Sequence, residues 1–326
     1  MAEWLIEEGI GESRAILVED GAIVEAAIEL PGALRPGAVL AARLAAILIP
    51  GRRGIARFED GSEALVEPLR GTLAEGAAIR AEIVREPIPE PGRPKPAKCI
   101  VTEAPLRPAP TLRERIGKSS IHPPVGPDRF EEAGWSELLE EAASGEIAFP
   151  GGALRMSLTP AMTLFDVDGA LPPAELAIAG ARACARAIRR FSIGGSIGID
   201  LPTVPSKAAR QAAAEAIDAL LPQPFERTAV NGFGFLQIVR RRERASIPEL
   251  VQWDQAGAAA RALLRRAERA PGAGPRTISA APPVISVLGR NPEWLEELGR
   301  RIGAQVRLRP DPALAIAAGD VQSAHS

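Results

Sequence analysis

Short apolar runs broken by glycine dominate the first quarter of the chain. Residues 4–6, 14–18 and 22–28 are such runs, divided by Gly9, Gly11 and the pair Asp20-Gly21. Runs of this length between Gly-containing breaks predict strands joined by tight turns. Residues 37–44, 54–58, 64–66 and 78–84 continue the pattern, with a second Asp-Gly turn at Asp60-Gly61. Several short strands in series predict a small OB-like β-barrel over residues 35–88. The pattern lapses over residues 89–145, where prolines from Pro89 to Pro110 mix with Arg93, Lys95, Lys98 and Arg107. That composition predicts a connector without a packed core, in which His122 is a surface residue. A helix is expected near its end, over residues 131–143 around Trp135, Leu138 and Leu139.

From residue 146 the periodicity alternates between strand and helix. A strand leads to Gly151-Gly152, and residues 153–158 alternate as another. The run Met162-Thr163-Leu164-Phe165-Asp166-Val167-Asp168 is followed by Pro172-Pro173 and an Ala/Arg-rich stretch, residues 174–190, that reads as helix. Gly194-Gly195-Ser196-Ile197-Gly198-Ile199-Asp200 is the next apolar run. Strand, helix, strand is a βαβ unit whose right-handed crossover makes its strands parallel. Asp166, Asp168 and Asp200 are then expected at one edge of the sheet, where open α/β sheets place ligands. Two adjacent carboxylates repel unless a proton or cation sits between them, and Mg²⁺ with a phosphate ester is the usual solution. A lone strand-end Asp is as readily a cap or turn residue, but one cap does not require the other. Beyond this unit the pattern predicts a helix over 208–221 and a strand over 232–239 running into Arg240-Arg241-Arg242. A helix over 258–269, a Pro/Gly hinge at 271–275, an apolar strand at 284–288, a helix over 292–302, a strand at 306–308 and a disordered tail from Ser323 complete it.

Composition narrows the picture. The 326 residues are 46% hydrophobic and 25% charged, as in soluble proteins of two or three compact units. A net charge of -2 does not announce a nucleic-acid binder, yet the cations are almost all Arg, the better fork for phosphate. Two cysteines, Cys99 and Cys184, can build neither a disulfide framework nor a four-thiolate zinc site. With neither a signal peptide nor a bilayer-spanning apolar run, a cytoplasmic chain without a membrane partner is expected. An OB-type barrel carries single-stranded nucleic acid on aromatic and basic residues. Phe58 and Arg57, with Arg52 and Arg53 before them, are the candidates, and Arg113, Arg115 and Lys118 extend the basic set into the connector. The plainer alternative makes Phe58 a core residue.

Two family resemblances attach to the aspartates. Phe165-Asp166-Val167-Asp168-Gly169 resembles the DxDG signature of haloacid-dehalogenase-like phosphatases, which implies Asp166 as nucleophile and Asp168 as acid/base. A broader resemblance, over nearly the whole chain and in order, is to the ribonuclease E/G family of bacterial endoribonucleases. The N-terminal meander is similar to that family's opening strands, and Ala81-Glu82-Ile83-Val84-Arg85-Glu86-Pro87-Ile88 to the last strand and exit of its inserted barrel. Gly151-Gly152 with the stretch Thr159 to Asp168 resembles its Gly-Gly…Thr-Glu-Ala-Leu…Ile-Asp-Val-Asn segment. The run ending at Asp200 resembles Gly-Gly-x-Ile-x-Ile-Asp, and Phe233-Gly234-Phe235-Leu236-Gln237-Ile238-Val239-Arg240-Arg241 its Arg-Phe-Gly-Leu…Arg segment.

This second resemblance implies an α/β fold: a ribonuclease-like mixed α/β catalytic core with an inserted small OB-like β-barrel. It divides the chain into core strands (1–34), barrel (35–88), connector (89–145), catalytic core (146–250) and a C-terminal helix with a small closing domain (251–326). It implies Mg²⁺ held by Asp166 and Asp200, Asp168 where the family has Asn, and single-stranded RNA as substrate. Pro160 stands where the family has Glu, no recognisable 5′-phosphate sensor follows the barrel, and the cysteines of an inter-subunit zinc are missing. No zinc-linked dimer is therefore expected, with other homo-oligomers left open. A non-catalytic RNA-binding protein is the alternative from a different class.

Overall fold

The computed structural model describes residues 2–323 apart from Ala33, Pro91, Arg93, Pro124, Val125 and Ala273. Parts of the expected connector and hinge, and the tail beyond Ser323, thus lie outside the described residues. The protein is mixed α/β and divides into two compact units. One comprises Met1–Pro31, Lys118–Glu137 and Leu250–Ser326, the other Gly32–Gly117 and Leu138–Glu249.

The first strands are β1 (Glu3–Glu8), β2 (Ser13–Glu19) and β3 (Ala22–Glu29). Asp20 and Gly21 both have positive φ, 51° and 80°, as a two-residue hairpin turn matched to strand twist requires. The barrel follows: β4 (Val39–Ile49), β5 (Arg53–Phe58), β6 (Glu63–Val66), β7 (Ala78–Arg85) and β8 (Ala97–Val101). It closes in the order β4-β5-β6-β8-β7, with β6 and β8 parallel and β7 returning to β4. First-second-third-fifth-fourth is the connectivity of an OB-type barrel. Two register shifts in the long β4 let it curl around a core of Leu44, Phe58, Val66, Leu69, Ile83 and Cys99. The expected barrel ended too early, at residue 88. Ala97 and Cys99 alternate inward with exposures of 1% and 0%, so the Pro-rich connector supplies the closing strand. β7, expected as the last strand, is the fourth.

Next come α1 (Leu112–Ile116), β9 (Ser120–Ile121), α2 (Arg129–Glu132) and α3 (Trp135–Ser144). One helix was expected over 131–143. Gly134, at φ 94°, divides it. β9 pairs parallel with β1, giving a four-stranded sheet β3-β2-β1-β9. The strands of residues 3–29, expected as the N-terminal strands of the ribonuclease-like core, thus form a sheet with a piece of the connector.

The second unit continues with β10 (Glu146–Phe149), β11 (Gly152–Leu158), β12 (Thr163–Gly169), α4 (Pro173–Arg190), β13 (Gly195–Asp200), α5 (Lys207–Asp218), β14 (Glu226–Arg227) and β15 (Phe235–Arg240). The sheet order is β10-β11-β12-β13-β15-β14, and only β12 and β13 run parallel. Pro173 opens α4, where its missing N–H costs nothing. Small residues on α4, among them Ala177, Gly180, Ala181 and Cys184, let it sit close on the sheet. A Cβ at Gly180 would lie 2.3 Å from Val167. The thiols serve packing, because burial pushes Cys99 up to about 12 and Cys184 higher still.

The chain ends with α6 (Ile247–Trp253), α7 (Gln255–Arg269), β16 (Arg276–Ala280), α8 (Pro282–Arg290), α9 (Pro292–Ile302), β17 (Val306–Pro310) and β18 (Gly319–Ser323). The apolar run 284–288, expected as a strand, lies in α8. Pro282 and Pro283 start a helix that buries Val284 and Leu288 four residues apart, and the strand lies earlier, at β16. Among the described residues, no helix is long and apolar enough to cross a membrane.

A sealed ionic cluster anchors the first unit. Glu12 pairs with Arg261 at 3.0 Å and with Arg265, while Glu7 pairs with Arg14 at 2.8 Å and Arg269 at 3.1 Å. The Arg14 guanidinium lies 4.2 Å from the Phe130 ring centroid and 4.9 Å from that of Trp135, and desolvation holds it down at about 10. His122 is here too, 3% exposed and 3.7 Å from Asp128, rather than on the surface. Burial, then the Arg269 charge, lowers its pKa. The folded protein therefore binds fewer protons there than the unfolded chain. Stability is full above the ordinary His range near about 6.5 and falls as pH drops through it toward the lowered folded value. Denaturant unfolding at pH 7.5 and 5.5 should show a loss of stability that His122→Gln reduces, and an equal loss in both proteins would remove His122 as its source.

Candidate metal and phosphate site

Alternation along β12 decides which side chains are free for chemistry. Phe165 and Val167 face inward at 0% and 6% exposure, so Asp166 and Asp168 face outward. In β13, Ile197 and Ile199 are buried and Asp200 is exposed. α4 covers the Val167 side. The carboxylates therefore stand on the sheet face opposite to α4.

The strand registers then assemble a row. Glu146 of β10 pairs with Arg155 of β11, Arg155 with Asp166 of β12, Asp166 with Asp200 of β13, and Asp200 with Phe235 of β15. In-register residues point to the same side, so acid, arginine, two acids and an aromatic cross five strands on one face. Adjacent strands are about 4.8 Å apart, which puts Asp166 and Asp200 side by side. Asp168 lies roughly 6.6 Å further along the same strand and face. Arg155 reaches Glu146 at 3.1 Å with its side chain 62% exposed. Its pKa is raised, first by that hydrogen bond and the Glu146 charge, then by Asp168 and Asp166.

The Gly-Gly pair at the start of β11 has a steric cause. A Cβ at Gly152 would lie 2.4 Å from the Asp168 carbonyl oxygen. Glycine there lets β11 close on β12 beside Asp168. At the other end of this hairpin, Thr159 donates its hydroxyl to the Met162 carbonyl at 2.7 Å and accepts from the Met162 N–H at 3.0 Å. Pro160 occupies that turn, and its carbonyl accepts from Lys95 at 3.1 Å, so no acid approaches the row from this position.

Among the described residues, no group of three or more His, Cys, Asp and Glu side chains is arranged to hold a metal ion. Asp166 and Asp200, paired in register, are two carboxylates that could contribute to a cation's shell. Mg²⁺ is usually held by one or two carboxylates, with waters and substrate phosphate completing its shell.

The expected RNA-contacting residues do not gather into one patch. In β5, Gly54, Ala56 and Phe58 face the barrel core, while Arg53 and Arg57 face out. Phe58 is 7% exposed in that core, which corrects its assignment as a base-stacking residue. Arg53 pairs with Glu67 at 2.7 Å and Arg57 with Glu63 at 2.7 Å, while Arg52 is exposed in the β4–β5 turn. An open depression of about 580 Å³ beside Arg57 is lined by Arg43, Arg57, Glu59 and Gly76, with Phe58, 7% exposed, reaching its floor from the core. Arg113 is exposed and Arg115 half-buried on α1, in the barrel's unit, whereas Lys118 is exposed and belongs to the other unit. The Arg240–Arg242 run serves structure. Arg240 donates to the Ile193 carbonyl at 2.9 Å, Arg241 pairs with Glu243 at 2.7 Å, and Arg242 pairs with Glu249.

Arg155 and Glu146 have no role in the sequence reading, and Phe233 and Phe235 enter it only within a resembling segment, not as site residues. The signal for the first two was the Pro150-Gly151 turn, because counting outward from it pairs residue 146 with 155. In comparisons with known proteins, the chain matches no family model and no curated protein.

Phe58→Ala should lower the melting temperature, in line with a core truncation costing about 3–5 kcal/mol, and leave affinity for single-stranded RNA unchanged in the folded fraction. Thermal denaturation beside a binding titration checks this, and lost affinity at unchanged stability would return Phe58 to the binding face.

Proposed function

We propose that this protein is a Mg²⁺-dependent endoribonuclease acting on single-stranded RNA, in the manner of the ribonuclease E/G family that its motifs resemble. The observation that carries the proposal is the in-register pairing of Asp166 with Asp200 on an exposed sheet face. In this reading residues 146–250 form the ribonuclease-like catalytic core, working in the cytoplasm. Asp166 and Asp200 would hold the ion. Bound there, Mg²⁺ supplies Lewis-acid stabilisation of charge on a phosphodiester under attack by water.

The chain's own groups complete the task. Arg155, one strand from Asp166, offers guanidinium donors to a non-bridging phosphate oxygen when it turns from Glu146. Asp168 accepts hydrogen bonds only, and Arg155 offsets its charge. The OB-type barrel lies in the same compact unit. The second and third strands of such barrels, with the loop between the first two, are the usual nucleic-acid face. Here those elements carry Arg52, Arg53 and Arg57.

The test is incubation of purified protein with end-labelled single-stranded RNA in Mg²⁺ and in EDTA. Internal cleavage is expected only in Mg²⁺. Asp200→Asn should reduce it by about 100-fold or more, since loss of groups merely supporting metal ligands already costs about 10–100-fold. Asp168→Asn should cleave at least as well as the parent, having lost a negative charge where phosphate approaches. Binding without cleavage would make the protein a non-catalytic RNA binder. Turnover of phosphate monoesters through a phospho-Asp166 would assign it to phosphatase chemistry instead.

A further inference from the structure

The residues leading into β15 hold an aromatic ring out in solvent. Phe233 is 83% exposed. Its backbone is nevertheless tightly fixed. The Asn231 carboxamide oxygen accepts from the N–H of Phe233 at 2.9 Å and of Phe235 at 3.1 Å, and Thr203 donates its hydroxyl to the Phe233 carbonyl at 3.1 Å. Gly234 accepts from the Leu201 N–H at 3.2 Å. At φ 96°, with a Cβ that would fall 2.1 Å from the Leu201 oxygen, position 234 admits only glycine. These bonds tie the turn to the chain just after Asp200. Two residues on, Phe235 occupies the row beside Asp200 on the carboxylate face.

Exposed phenylalanines on loose loops are ordinary, but an exposed ring carried on a fixed backbone turn next to the strand that bears Asp200 suits a planar ligand. We propose, resting on the ribonuclease reading, that Phe233 is a stacking platform for an unpaired nucleobase next to the scissile phosphate. Asn231 Oδ1 and the Thr203 hydroxyl hydrogen are committed to holding the turn, so the base is taken by its face rather than read along its edge. Selection is then for single strands over duplexes, with little preference among bases.

The probe is a short single-stranded RNA carrying 2-aminopurine, titrated in EDTA so that binding is measured without cleavage. Wild-type protein should quench the probe. Phe233→Ala should weaken binding by about 5- to 150-fold, Phe233→Trp should preserve it, and a duplex of the same sequence should not distinguish the variants. The melting temperature of Phe233→Ala should match wild type, because the side chain is 83% exposed. Equal quenching and affinity for wild type and Phe233→Ala, with cleavage in Mg²⁺ intact, would overturn the platform and leave the ribonuclease reading standing. No RNA binding by wild type would overturn both. A change in oligomeric mass by light scattering, with RNA affinity unchanged, would assign Phe233 to a protein contact and also overturn the platform.

Discussion

The parallel pairing of β12 with β13 is the constraint from which the site follows. Phe165, Val167, Ile197 and Ile199 must be buried on the α4 side, and strand alternation then forces Asp166, Asp168 and Asp200 to the opposite face. A slip of one residue would turn every one of these side chains over, burying carboxylates and exposing isoleucines. The hydrophobic requirement that stabilises the sheet thus also sets the spacing of the carboxylates. The flanking antiparallel strands extend the row by the same rule, adding Arg155 and Glu146 on one side and Phe235 on the other.

The two units use the same residue types for opposite ends. Glu7, Glu12, Arg14, Arg261 and Arg265 are nearly sealed from solvent and mutually paired, an arrangement in which losing one partner strands a buried charge. The row on the second unit stays in water, where two adjacent acids cost less and a ligand can reach them. Glu146 binds Arg155, the neighbour of Asp166 in the row, so among the described residues Asp166 and Asp200 have no direct ion-pair partner on either flank. That residual negative charge is the physical argument for a cation.

Much of this architecture was legible because it rests on local rules. Pro172-Pro173 before an Ala-rich helix, and two apolar runs each ending in Asp, announce the βαβ unit, but the aspartates stand on the sheet face opposite α4 and not at the expected edge. Asp20-Gly21 announces its hairpin. What escaped depends on partners distant in sequence. β8 is a five-residue strand among prolines, recognisable only by its pairing with β6 and β7. β9 is two residues long and exists because β1 offers an edge. The run 284–288 has the apolar density of a buried strand, and only the preceding prolines argue for a helix. His122 is buried by Asp128, Phe130 and Arg269, which no local pattern around it reveals. Phe58 is the instructive case, because its parity with Gly54 and Ala56 placed it in the core while the neighbouring arginines suggested a binding face.

The central claim is that Asp166 and Asp200 together form one cation site. Mn²⁺ paramagnetic resonance tests it directly on the full chain without RNA, with Mn²⁺ standing in for Mg²⁺. One bound ion per chain, displaced by excess Mg²⁺ and weakened about tenfold or more by either Asp166→Asn or Asp200→Asn, is the predicted result. Unchanged Mn²⁺ affinity in the Asp166→Asn/Asp200→Asn double variant would contradict it.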